Sequence, residues 1–124
     1  MSDEISRLPP NVQERLLRLQ QLQQTLQTIL AQKQQVEMEK TEVEQTIAEL
    51  EKTAEGAVIY KAIGSLLVKA EKPKVNEELA ERKSLLDTRS TVMARQEERI
   101  RSQVKEAQTK LQEDLSPVSG QPLS

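Results

Sequence analysis

Residues 57–70 read Ala-Val-Ile-Tyr-Lys-Ala-Ile-Gly-Ser-Leu-Leu-Val-Lys-Ala, a segment unlike the rest of this 124-residue chain. It is rich in β-branched residues, it contains the only aromatic residue, Tyr60, and it has Gly64 near its centre. β-Branched and aromatic side chains favour strands, and a central glycine favours a tight turn. The segment 56–72 therefore predicts a β-hairpin with strands of about five residues. A single helix running through Gly64 is the alternative.

The chain before this segment has the repeat of a coiled-coil helix. Pro9 and Pro10 mark its start, with Asn11 and Glu14 at capping-box spacing. Ten of the thirteen seam positions are apolar, and the repeat predicts a helix over residues 9–55. The a positions are Val12, Leu19, Leu26, Lys33, Lys40, Ile47 and Ala54, and the d positions are Arg15, Leu22, Ile29, Val36, Val43 and Leu50.

A second, weaker repeat follows the segment and predicts a helix over residues 73–115, starting at Pro73. Its a positions are mostly apolar, whereas its d positions are polar with long aliphatic stems that can cover apolar neighbours. The a positions are Leu79, Leu86, Met93, Ile100, Ala107 and Asp114, and the d positions are Arg82, Arg89, Gln96, Gln103 and Lys110. Residues 116–124 contain two prolines and a glycine, which predicts a disordered tail.

The two helices are nearly equal in length and their connection is short, so an antiparallel pair is expected. One register places apolar a and d residues in shared layers, for example Ile29 with Ile100 and Val43 with Leu86. The same register sets Arg15 opposite Asp114, which have opposite charges. It also sets Lys40 opposite Arg89, an unfavourable pair with only Asp87 nearby to compensate.

Composition argues against most catalytic and ligand-binding chemistry. The chain has no cysteine and no histidine, and its three glycines cannot form a phosphate-binding loop. A net charge of −2 without a Lys/Arg block argues against nucleic-acid binding, and no apolar run approaches the ~20 residues of a membrane span. The start of the chain does not look like a secretory signal. We therefore expect a cytoplasmic protein that is not an enzyme and has no cofactor or metal.

The predicted β-hairpin indicates an oligomer. A lone two-stranded hairpin is marginally stable in water, and two helices cannot cover both of its faces. Its apolar side chains are therefore expected to carry assembly into a larger sheet or barrel: Val58, Tyr60, Ile63, Leu66 and Val68. The expected fold is mostly α, a single domain over residues 1–124. A long antiparallel coiled-coil hairpin carries one β-hairpin at its proximal end, and the β-hairpins build a β-barrel platform in the oligomer.

The chain resembles the beta-subunit family of archaeal prefoldin over roughly residues 9–113. The specific part is Val-Ile-Tyr-Lys-Ala-Ile-Gly-Ser-Leu-Leu-Val-Lys at 58–69. Three further stretches agree: Leu-Gln-Gln-Leu-Gln-Gln at 19–24, Glu-Glu-Leu-Ala-Glu-Arg-Lys at 77–83, and Arg-Gln-Glu-Glu-Arg at 95–99. A connection holding one hairpin rather than two favours the beta type over the alpha type.

This resemblance implies a hexamer of two alpha and four beta subunits, with a double β-barrel platform from which six coiled coils extend. It implies that the distal tips hold non-native polypeptides without ATP and pass them to a group II chaperonin. Four apolar residues near the tip fall at e positions, which flank one side of an antiparallel pair: Leu16, Leu30, Val104 and Leu111. We expect these, with the seam residues Leu19 and Leu22, to contact clients. The alternative is that they only thicken the end of the coiled coil.

Two other functions are compatible with the pattern. One is a homo-oligomeric coiled-coil scaffold or adaptor whose hairpin only caps the rod, which would need no alpha partner. The other is an amphipathic protein of the membrane surface, which the net charge and the lack of an apolar face flanked by Lys and Arg disfavour.

Overall fold

A computed structural model of the chain describes residues 7–120, with side chains described for residues 7–115. In chain order the elements are helix α1 (Pro10–Glu51), strand β1 (Ile59–Ile63), strand β2 (Leu66–Ala70) and helix α2 (Lys72–Gly120). The chain forms two compact units. The terminal unit comprises the described residues up to Gln32 and from Met93 onward, and the hairpin unit comprises Lys33–Val92.

The buried residues in each unit are seam residues of the predicted repeats. In the terminal unit they are Val12, Leu19, Leu22 and Ile29, and in the hairpin unit they are Val36, Val43, Leu50 and Leu86. All of these side chains are apolar, so burial of the seam is the main source of stability of the helix pair. The polar d positions of α2 leave that helix less buried, and Leu86 is its only fully buried residue in the described part of the chain.

α1 begins at Pro10, where the carbonyl of Pro9 accepts hydrogen bonds from the backbone N–H groups of Val12 and Gln13, both at 3.0 Å. Proline suits the first helical position because its missing N–H would have no partner there. The capping box expected at Asn11 is therefore wrong, since Asn11 already lies inside the first turn.

α1 ends at Glu51, four residues before the predicted boundary at residue 55. The Thr53 hydroxyl donates to the carbonyl of Leu50 at 2.6 Å, and the Thr53 N–H donates to the same carbonyl at 3.1 Å. A turn follows in which the Ala57 N–H donates to the carbonyl of Ala54 at 3.0 Å, with Gly56 at φ +81°. This is the conformation of a type II turn, which requires a positive φ at its third residue.

α2 begins at Lys72, one residue before the predicted start, and continues to Gly120 rather than ending at Leu115. Residues 116–120 are thus helical where a disordered tail was predicted, and residues 121–124 lie outside the described part. Pro117 removes one N–H donor from the helix, but extending an existing helix needs no new nucleation.

Residues 59–70 form an antiparallel β-hairpin, so the alternative of a continuous helix through Gly64 is wrong. Each strand has five residues, as predicted. Ile63 pairs with Leu66 across a two-residue turn in which Gly64 has φ +59° and Ser65 does not have a positive φ. That pattern is a type II′ turn, which matches the twist of the strands and favours glycine at its first central position.

Candidate binding and assembly surfaces

The register of the β-hairpin assigns each side chain to one of two faces. Pairing of Tyr60 with Lys69 and of Lys61 with Val68 fixes this alternation. One face carries Tyr60, Ala62, Leu67 and Lys69, and the other carries Ile59, Lys61, Ile63, Leu66, Val68 and Ala70. Both faces therefore present apolar side chains.

The five residues predicted to carry assembly are all exposed: Val58, Tyr60, Ile63, Leu66 and Val68. Leu67, which was not among them, is the most exposed large apolar residue of the described chain at 73%. Its pairing with Ala62 puts it on the face of Tyr60. Alternation of side chains along residues 57–70 could have identified Leu67 as a further assembly residue. Exposed apolar surface on both faces of a hairpin is typical of a protein–protein interaction site.

Two contacts attach the β-hairpin to the helices within the hairpin unit. Lys61 Nζ donates to Glu78 Oε2 of α2 at 2.6 Å. Lys72 Nζ donates to the carbonyl of Thr53 at 2.9 Å, which joins the start of α2 to the turn that follows α1. The hydrogen bond from Lys61 lowers the pKa of the Glu78 carboxyl, and the charges of Lys61 and Lys74 act in the same direction.

Polar contacts across the seam define how the helices pair within each unit. In the terminal unit Arg15 forms an ion pair with Asp114, as the predicted register requires. In the hairpin unit Lys40 Nζ lies 2.9 Å from Asp87 Oδ1, and the Ser90 hydroxyl donates to Glu37 Oε1 at 2.7 Å. Glu37 and Ser90 are both e positions, so e residues of the two helices do flank the same side of the pair.

The predicted client-binding residues divide into two groups. Leu16, Leu30, Val104 and Leu111 are half-buried in the terminal unit, so each keeps part of its apolar surface in water. Leu19 and Leu22 are only 8% and 5% exposed, since they hold the helix pair together. Contact of a client with these two seam residues would require the helices to separate.

Several exposed apolar residues lie outside the predicted set. Leu17, at an f position of the terminal unit, is 55% exposed, and Met38, Leu85 and Val92 are exposed in the hairpin unit. Periodicity alone separates seam from surface but gives no reason to single these residues out.

A groove crosses the terminal unit on the side opposite the e positions. Its apolar part comes from Leu17, Leu22 and Ala107. Its remaining lining is polar or charged with both signs: Asn11, Glu14, Arg15, Arg18, Gln21, Gln103, Glu106 and Lys110. The mixed charge gives this groove no preference for a cation or an anion.

Within residues 7–120 no group of three or more acidic, histidine or cysteine side chains is arranged to hold a metal ion. None of the helices in this described part is both long and apolar enough to cross a membrane.

The chain is similar to known proteins over most of its length. A family model described as "Prefoldin subunit" matches residues 13–117. Prefoldin subunit beta of Thermococcus onnurineus is 42% identical over 113 residues, covering 91% of this chain and 97% of that protein. Prefoldin subunit beta of Methanothrix thermoacetophila is 45% identical over 108 residues, covering 87% and 90%.

The fold is similar to solved structures as well. The crystal structure of the prefoldin beta subunit from Thermococcus strain KS-1 matches with a TM-score of 0.82 at 38% identity, covering 90% of this chain and 97% of that one. The prefoldin beta2 subunit of the same strain matches with a TM-score of 0.66 at 22% identity, which is a likeness of fold alone.

Proposed function

The chain belongs to the prefoldin subunit family, a family of chaperone subunits, and from this premise we propose that it is a non-enzymatic holdase subunit of the beta type. In this proposal it captures non-native polypeptides without ATP and passes them to a group II chaperonin. It does so in the cytoplasm as part of a hexamer with two alpha and four beta subunits.

The observation that carries the assembly part of the proposal is the exposure of apolar side chains on both faces of the β-hairpin. Tyr60 is 60% exposed and Leu66 is 65% exposed, on opposite faces. Water-exposed apolar area of this kind is stabilised by burial against other hairpins. A second chain on one face would leave the other face uncovered, which favours a closed ring or barrel over a simple dimer.

The capture part of the proposal is supported by the e side of the terminal unit. Leu16, Leu30, Val104 and Leu111 keep partial exposure there, whereas e positions of the hairpin unit carry polar residues such as Glu37 and Ser90. An unfolded polypeptide exposes apolar side chains without a fixed shape, so a partly exposed apolar strip binds it weakly and with little sequence preference. Several weak sites held in one complex add through avidity.

The test of capture is a variant in which Leu16, Leu30, Val104 and Leu111 are all replaced by Ser. We expect it to assemble normally, but to lose most of its ability to suppress aggregation of a denatured test protein, measured by light scattering. The matched control replaces Met38, Leu85 and Val92 by Ser, since these are exposed apolar residues of the hairpin unit. Full activity of the four-residue variant would place the client site elsewhere.

A homo-oligomeric scaffold is the competing function, because the exposed hairpin would serve contacts between identical chains equally well. Native mass spectrometry of the chain alone and co-expressed with an alpha-type subunit separates the two. We expect a hexamer of two alpha and four beta subunits only when the two chains are co-expressed. If this chain forms a closed complex alone and does not incorporate the alpha-type subunit on co-expression, the scaffold function is favoured.

A further inference from the structure

Lys40 occupies a seam position of α1 that is apolar in most other heptads. Its side chain is only 28% exposed, and its ammonium lies 2.9 Å from a carboxylate oxygen of Asp87 on α2. The hydrogen bond and charge of Asp87 raise the pKa of Lys40, and Glu37 and Glu44 add to the effect from α1. A charge partly withdrawn from water costs free energy unless it is paired, so the position depends on a carboxylate across the seam.

The apolar layers alone do not define which residues of the two helices face each other. In the register set by Lys40 and Asp87, Val43 lies opposite Leu86. If α2 slid by one heptad, Val43 would instead lie opposite Leu79, again an apolar pair. Such a slide moves the helix about 10 Å along its axis. The connection 52–58 spans roughly 23 Å when extended, so it can accommodate the slide.

The charged seam position does distinguish these registers. The residues seven before and seven after Asp87 are Ala80 and Ala94, so a slide by one heptad in either direction puts an alanine in the place of the α2 carboxylate that pairs with Lys40. Glu37 does not add to this selection, because one of the slides brings Lys83 into the place of Ser90, where its charge would pair with Glu37.

The terminal unit contains a second charged residue at a seam position that pairs with a carboxylate of α2. Arg15 fills a d position and pairs with Asp114, and the residue seven before Asp114 is Ala107. We propose that Lys40–Asp87 and Arg15–Asp114 are register-selecting contacts, each of which fixes how α1 and α2 align in its own unit. This inference goes beyond the proposed function and does not depend on it. A single polar seam position can specify register at some cost in stability.

The test measures register directly and uses the fact that the chain has no cysteine of its own. A chain with Val43→Cys and Leu86→Cys reports the present register, and a chain with Val43→Cys and Leu79→Cys reports the slipped one, each by crosslinking within one chain. Adding Asp87→Ala should raise crosslinking in the slipped reporter by roughly two- to fivefold, because Lys40 then gains nothing from the present register. The exchange Lys40→Asp with Asp87→Lys should restore the original preference.

The matched control is Glu49→Ala, which removes the carboxylate of the Lys52–Glu49 pair at 3.2 Å, a contact between α1 and the residue that follows it, which does not cross the seam and so cannot favour one register over another. If Asp87→Ala loses its helical circular dichroism, Asp87→Asn keeps the side-chain size and takes its place. The proposal is overturned if a folded Asp87 variant retains the original crosslinking ratio, or if the charge exchange fails to restore it.

Discussion

The contact between Lys61 of the β-hairpin and Glu78 of α2 is expected to depend on pH, because protonation of Glu78 removes its charge. Its carboxylate accepts a hydrogen bond from Lys61, and this contact lowers its pKa below the ordinary value. A carboxyl group with a lowered folded-state pKa stabilises the fold above its unfolded pKa, about 4.3, and that contribution is lost as the pH falls through the folded-state pKa.

The expected result is therefore pH-dependent. The Glu78→Gln variant should be less stable than the natural chain at pH 7, and the difference in free energy of unfolding should vanish as the pH falls well below about 4. Urea unfolding at a series of pH values measures it. Glu81→Gln, on the same helix, is the control. If the difference in free energy of unfolding between the two chains stays constant down to the lowest pH, the Lys61–Glu78 contact does not contribute to stability.

Single charged residues also mark what the sequence could predict and what it could not. The pairing of Arg15 with Asp114 followed from the register and is confirmed. The conflict between Lys40 and Arg89 was visible as well, with Asp87 as the only compensation nearby, and the Lys40–Asp87 contact at 2.9 Å confirms that compensation. The sequence pattern did not decide whether Leu19 and Leu22 hold the helices together or contact clients. Both side chains are buried, which fits the first of these roles.

At the scale of elements, hydrophobic periodicity predicted both helices and the composition of residues 57–70 predicted the hairpin. The ends of the helices were less predictable, because they depend on individual hydrogen bonds. α1 stops at Glu51 where Thr53 bonds back to the carbonyl of Leu50, although Gly56 is the conspicuous breaker in the sequence. Exposure of the strip at Leu16, Leu30, Val104 and Leu111 is only partial, since e positions lie at the edge of the seam.

The β-hairpin is the element on which assembly is proposed to depend, and a double substitution tests it. Val68 lies on the Ile63 face, and Val58 is an exposed residue directly before β1. Replacing both by Asp would place two charges on the apolar surface of the hairpin, which costs several kcal/mol if that surface is buried in a complex. We expect helical circular dichroism to be kept and sedimentation to show loss of the complex.

The control for this prediction is Leu85→Asp, a charge introduced at a residue that is 53% exposed but lies on α2 rather than on the hairpin. It should assemble like the natural chain. Intact assembly of the double hairpin variant would contradict the assignment of the hairpin as the interface.

At the scale of the whole molecule, the proposed client strip of one chain is narrow, so strength of binding should come from the number of chains. Leu16 and Leu30 on α1, with Val104 and Leu111 on α2, are each half-buried, and contacts of this size are individually weak. When several such strips are held in one complex, the second and later contacts become intramolecular and the overall affinity rises without any new kind of contact.

The Val58→Asp, Val68→Asp chain permits this to be measured, because it is expected to keep the strip while losing the complex. Its dissociation constant for an unfolded, fluorescently labelled polypeptide should exceed that of the assembled complex by roughly 10²- to 10⁴-fold, at equal concentration of chains. Fluorescence anisotropy gives both values, and the Leu85→Asp chain should match the natural one. Equal affinity of the unassembled and assembled chains would mean that a single chain already forms the full client site, and that avidity between chains is not how the client is held.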